Sequence, residues 1–134
     1  MKIKIGDSES IKKTLSAEHV ATFAALVEDY NPVHLDAEYA ATTQFGRPIV
    51  HGKLASSLIS GLLASKLPGA GCIYLGQTLK FTKPIFVGES VTARVTVTHI
   101  REDKPIVTLL TEVFNQQMEL TITGEATVRL AQAV

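Results

Sequence analysis

The hexapeptide Asp29-Tyr30-Asn31-Pro32-Val33-His34 carries the clearest chemistry in the chain. A carboxylate and an imidazole stand five positions apart, and Asn31-Pro32 interrupts any continuous helix between them. A turn set by Asn31 and Pro32 can bring the two side chains within reach of one water molecule. A carboxylate, an imidazole and a trapped water make a general acid–base site. The same residues would also serve as a helix-capping Asp and an ordinary surface His on a loop. The rest of the chain has to decide between the two readings.

The elements that must position these residues come from periodicity. Ile3 to Thr14 reads as a short strand and a connection. Ser16 is a good N-cap, with Glu18 in the first turn. Val20, Phe23, Ala24 and Val27 then recur at helical spacing, and this helix delivers the chain to Asp29. Asp36 caps a second short helix over 37–42, which ends before Phe45-Gly46-Arg47-Pro48. The stretch from His51 to Lys66 is a further helix. Leu54, Leu58, Ile59, Leu62 and Leu63 form its apolar stripe. Small residues (Gly52, Ala55, Ser56, Ser57, Ser60, Gly61, Ala64, Ser65) make up most of the remaining surface. That composition predicts a helix buried on nearly every side, stopped by Pro68-Gly69.

From Gly71 onward the period changes to two. Ile73, Leu75, Leu79 and Phe81 alternate with Tyr74, Thr78 and Lys80. Val91, Ala93, Val95 and Val97 alternate with Thr92, Arg94, Thr96 and Thr98. Leu120, Ile122, Ala126, Val128 and Leu130 alternate with polar neighbours, and Ile106 to Phe114 is a strand with a less clean pattern. Each strand should be half buried. Lys83-Pro84, Gly88-Glu89 and Asp103-Lys104-Pro105 are the turns between them. Consecutive strands with short turns make an antiparallel sheet, and one helix laid across its apolar face gives an α+β fold.

Composition narrows the function classes. The chain has 134 residues, enough for a single domain over 1–134. Thirteen basic and 13 acidic residues give a net charge of zero, which argues for neither nucleic acid nor an anionic membrane surface. The longest apolar stretch, Leu54 to Ser65, has 12 residues and is too short to span a bilayer. The N-terminus is charged from Lys2 onward and does not read as a secretory signal. The lone Cys72 permits no internal disulfide, which suits the cytoplasm. The four histidines and Cys72 show no metal-ligand spacing, so no metal site is expected.

The order helix, Asp29-x-Asn31-Pro32-x-His34, short helix, Arg47-Pro48-Ile49-Val50-His51-Gly52, central helix, long antiparallel sheet resembles the MaoC-like (R)-specific enoyl-CoA hydratases. It is most similar to the small single-hotdog bacterial enzymes that feed (R)-3-hydroxyacyl-CoA into polyhydroxyalkanoate synthesis. The resemblance spans nearly the whole chain. It departs at Glu28, where the family often has Gly, and at Lys53, where an apolar residue is expected after His-Gly.

The resemblance implies a hotdog fold, an antiparallel sheet wrapped around a central helix. It implies reversible, cofactor-free hydration of a trans-2-enoyl-CoA in a homodimer, with coenzyme A part of the substrate. The nucleophile would be a water between Asp29 and His34. Asp29 is the candidate base, and His34 the candidate for holding the water and supplying the C2 proton. Both touch one water and titrate together, so the roles are not separable from sequence. The Gly52 N–H, at a helix N-terminus, would stabilise the thioester oxygen as the enolate forms, and a glycine there would let the thioester approach the backbone.

Other residues carry weaker expectations. Asn31 should hold the loop through a side-chain-to-backbone bond. Ser60 is either a second support of the site or a packing serine. His51 reads as a helix-start or packing residue, and His19 and His99 as surface or sheet residues. Lys66, Lys80, Lys83, Arg101 and Lys104 are unranked candidates for the coenzyme A phosphates. A hotdog thioesterase or dehydratase would carry an acid on the central helix, and His51 to Lys66 has none. A non-catalytic acyl-CoA-binding subunit would tolerate loss of Asp29 or His34, and both are in register.

Overall fold

The strands of the second half all find antiparallel neighbours. The computed structural model describes residues 2–131. Its strands are β1 (Ser8–Thr14), β2 (Ile73–Gln77), β3 (Lys80–Phe81), β4 (Ser90–Ile100), β5 (Ile106–Phe114) and β6 (Leu120–Arg129). They form one six-stranded sheet in the order β1-β4-β5-β6-β2, with β3 also paired to β6. The helices are α1 (Ala17–Val27), α2 (Pro32–Leu35), α3 (Ala37–Ala41) and α4 (Gly52–Ser65). Helix α4 lies across the sheet, chiefly on β4.

The core is the expected apolar face. Val91, Ala93, Val95 and Val97 of β4 are buried and meet Ile59, Leu62 and Leu63 of α4 in one cluster. Each fully buried aliphatic side chain contributes about 1.5–3 kcal/mol. Strand β5 alternates more cleanly than its sequence suggests, because Thr111 takes an inward position beside Val107, Leu109 and Val113. Its hydroxyl is satisfied by the Gln77 side-chain N–H at 2.9 Å.

Three expectations need correction. Helix α4 is not buried on nearly every side: Lys53, Ser57, Ser60, Gly61, Ala64 and Ser65 are exposed. The sheet covers only one flank of it, so most of its small residues face outward, while Ala55 and Ser56 are buried. Val27 falls outside the core, at the exposed end of α1. The stretch after Gly71 is not one half-buried strand. It breaks into β2 and β3, with a register shift between Tyr74 and Gly76. Ile73, Tyr74 and Leu75 are all exposed, because β2 is the last strand of the sheet and no helix among the described residues covers it. Gly124 fixes that break. A Cβ there would lie 1.7 Å from the Thr78 carbonyl oxygen, so only glycine admits the crossing chain.

Candidate active site

Local capping builds the acid–imidazole pair. Ser16 starts α1 by accepting the His19 N–H, and the His19 ring accepts the Ser16 N–H in return. His19 thus has a partner that its position in the sequence did not suggest. Helix α1 ends at Glu28, whose left-handed backbone (φ 62°) turns the chain out of the helix. That geometry explains why glycine is common there in the resembling family. Asp29 Oδ1 then accepts the Asn31 N–H at 3.2 Å, and Asn31 Oδ1 accepts the Val33 N–H at 3.3 Å. These two bonds, with Pro32 as the first residue of α2, start a one-turn helix where sequence suggested only a turn. Asn31 is the loop support it was expected to be. Asp36 caps α3 as expected, accepting the N–H groups of Glu38 and Tyr39.

The turn of α2 aims His34 at the segment leading into α4. The His34 Nδ1–H donates to the Ile49 carbonyl at 2.8 Å. A carbonyl only accepts, so this bond places the proton on Nδ1 and leaves the Nε2 lone pair free. Burial pushes the His34 pKa below its usual value, and the adjacent His51 ring adds to that effect. The bond to Ile49 and the nearby Asp29 charge oppose it. With this tautomer His34 presents Nε2 as an acceptor, so the expected supply of a proton to C2 would follow uptake of one at Nε2.

Asp29, His34 and His51 each bring one ligand-type atom within 4.8 Å of the others. Polar groups so spaced are within reach of one bridging water. The trio has metal-ligand chemistry that the linear spacing concealed. However, His34 Nδ1 is committed to Ile49, and the His51 Nε2–H donates to the Asp29 carbonyl at 3.1 Å. The remaining His51 nitrogen, Nδ1, is buried with no protein partner among the described residues. It is His51 Nε2 that faces the Asp29 carboxylate, at 4.0 Å, and Nδ1 diverges from it across the ring. One carboxylate and the His34 Nε2 are left to converge, fewer donors than a zinc site uses.

His34 and Gly52 line a cavity of about 310 Å³, with Phe45, Ile49, Phe81 and Ile85 among its walls. The Gly52 N–H is one of the first-turn donors of α4 that the helix itself leaves free. Gly52 serves a close contact other than the expected one. A Cβ there would lie 2.5 Å from Phe81 Cε1, so the glycine admits the Phe81 ring. Asp29, with a side chain 47 % exposed, does not line the cavity and joins the site through its closeness to His34.

Ser60 is not brought to this cluster. It lines a separate cavity of about 370 Å³ with Lys53, Ser56, Tyr74 and Gln77. Lys53 stands there too, so its charge does not shape the wall beside His34. Among the unranked basic residues, Lys83 alone lines the cavity of His34, paired with Glu119 at 3.0 Å. Sequence reasoning undervalued His51. It does start α4 and it is packed, but it also stacks on His34 at 3.9 Å between ring centroids. Its position directly before Gly52 was the available signal.

A sheet on one central helix defines a hotdog protein, here with a carboxylate and an imidazole close to that helix's N-terminus. Residues 5–129 match the MaoC-like domain family, and the chain belongs to that family. An (R)-specific enoyl-CoA hydratase from Aeromonas caviae is 57% identical over 128 residues, covering 96% of each chain. One from Rhodospirillum rubrum is 44% identical over 126 residues, 94% of this chain and 87% of that one. The solved (R)-hydratase from A. caviae involved in PHA biosynthesis superposes with a TM-score of 0.94 at 57% identity, over 96% of this chain and 97% of that one.

Proposed function

We propose that this chain is a hydro-lyase that adds water reversibly to trans-2-enoyl-CoA, giving (R)-3-hydroxyacyl-CoA. The observation that carries the reading is the juxtaposition of Asp29 and His34 beside a cavity lined by His34 and Gly52. The likeness to the (R)-specific hydratases supports the substrate and the hand of the product.

In this reading the water donates one proton to each of Asp29 and His34 Nε2. Its oxygen bonds to C3, and the C2–C3 π electrons move toward the thioester. The Gly52 N–H stabilises the oxygen that gains charge. The pair keeps one proton from the water and returns it to C2, while the other stays on the new hydroxyl. Atoms and charge balance without metal or organic cofactor. Acid and base roles belong to the pair, since both groups act on one water.

The enzyme works in the cytoplasm as a homodimer, with the pantetheine arm of coenzyme A touching both subunits. No helix among the described residues is long and apolar enough to cross a membrane.

A hydration assay over a series of enoyl-CoA lengths, with chiral analysis of the product, tests the reading. The expected product is the (R) alcohol at every length accepted, with turnover unchanged by a chelator. A predominantly (S) product, chelator-abolished activity, or no turnover of any enoyl-CoA would overturn it.

A further inference from the structure

We propose that His51 is a positioning residue, whose ring ties the Asp29 carbonyl to the start of α4 and supports the face of His34. It thereby holds the water-binding pair and the Gly52 N–H in one geometry. This rests on the hydratase reading above and adds to it a group that touches neither water nor substrate.

Three contacts converge on the ring. Its Nε2–H donates to the Asp29 carbonyl at 3.1 Å, joining the end of α1 to the residue that opens α4. Its face stacks on His34 at 3.9 Å with the planes 29° apart. Phe23 of α1 meets it edge-on at 5.0 Å. His51 is only 2% exposed, so these contacts are shielded from solvent and hold the ring in one pose. Asp29 needs such a tether. Its carboxylate is half exposed and accepts the Asn31 N–H, and its backbone N–H donates to the Ala24 carbonyl at 3.1 Å, which leaves its carbonyl side to be fixed by His51. A displacement of about 1 Å in a catalytic group can cost on the order of 100-fold in rate.

Packing alone is a poor account of a histidine here. The buried Nδ1 has no protein partner among the described residues, a cost that an apolar side chain would avoid. The position also makes no side-chain cap to α4, so helix starting does not explain it. What the imidazole adds over an apolar side chain is the N–H on Asp29.

Two substitutions separate the tether from the stack. His51→Phe keeps a ring against His34 and Phe23 but has no N–H for Asp29. His51→Gln loses the ring but can place an N–H near the position of Nε2. His51→Phe should lower kcat by roughly 10- to 100-fold with KM within about threefold, and His51→Gln should keep kcat within about threefold of wild type. In parallel, amide hydrogen exchange at Asn31 and His34 should quicken at least about tenfold in His51→Phe, with β4 and β5 amides unchanged. Should His51→Phe not fold, the smaller His51→Leu carries the same expectations. A folded Phe or Leu variant with wild-type kcat and exchange would overturn the proposal, as would a Gln variant as impaired as the Phe one. If wild-type protein hydrates no enoyl-CoA, the hydratase reading fails, and the exchange comparison still decides whether His51 tethers Asp29.

Discussion

At the residue scale, two substitutions separate acid–base work from mere capping. Asp29→Asn keeps the size of the side chain and an oxygen for the Asn31 N–H, but removes the charge. His34→Ala removes the second acceptor of the water. Each should lower kcat by roughly 10²- to 10⁴-fold. The double variant should lose little more than the worse single one, because both residues act on one water in one step. Thermal unfolding of Asp29→Asn should shift little, since the Asx turn survives, and a stable, fully active Asp29→Asn protein would remove the assignment. Acidity gives a second prediction. The His34 pKa is held below 6.5 by burial, and its neutral form is the competent one. kcat/KM should therefore hold steady down to pH 6.5 and fall only below it. The same shift makes protonation favour the unfolded chain. The stability that neutral His34 contributes is complete above pH 6.5, and it is lost as pH falls from 6.5 through the lowered folded value. Melting curves of wild type and His34→Ala across that window check the sign: acid should destabilise wild type more. The Asp29–His34 pair was legible in sequence because local turn chemistry brings it together. The tautomer of His34 was not, because it depends on the Ile49 carbonyl, 15 residues away. Nor was the role of His51, whose partners Phe23 and His34 lie on other helices and Asp29 in the loop between them.

At the element scale, the end of α1 offers a test of strain. Glu28 occupies a left-handed conformation that costs a non-glycine residue about 1–2 kcal/mol. Glycine removes that cost but forfeits about 0.5–1 kcal/mol through greater freedom when unfolded. Glu28→Gly should thus stabilise the protein by roughly 0.5–1 kcal/mol, a rise of about 2–4 °C in Tm for a chain of this size. Glu28→Ala, which retains a Cβ, should not. Differential scanning calorimetry of the two variants checks the contrast, and equal melting temperatures would place the turn's strain elsewhere. The starts of α1 and α3 were legible because Ser16 and Asp36 are caps whose bonds close within a few residues, whereas the one turn of α2 after Asn31 read only as a turn. Strand β4 was legible because its inward face is uniformly apolar. The break between β2 and β3 was not, since it is set by Gly124 meeting Thr78 across the sheet. Period-two patterning carries no record of such a crossing.

At the scale of the whole molecule, the surface that sequence mispredicted is the one that calls for a partner. Ile73, Tyr74 and Leu75 of the terminal strand β2 are 56%, 41% and 52% exposed. An uncovered apolar edge strand is a template for pairing with another chain. Beside it lies the outward face of α4, whose Ser57, Ser60, Gly61 and Ala64 allow close approach. The second cavity joins the two surfaces, since Ser57 and Ser60 line it together with Tyr74 and Leu75. A second copy seated here would cover β2, enclose α4 and bring Ser60 and Lys53 into an interface. The alternation that fails in β2 within one chain would then be satisfied between two. Light scattering should report a dimer at assay concentrations. Replacing Leu75 by Lys, which adds a like charge to each copy of the edge, should shift the population to monomer. If coenzyme A reaches its site between subunits, that monomer should raise KM for enoyl-CoA by tenfold or more, because the dyad itself lies within one chain. An active wild-type monomer, or a Leu75→Lys dimer indistinguishable from wild type, would show that this edge is not where two copies meet.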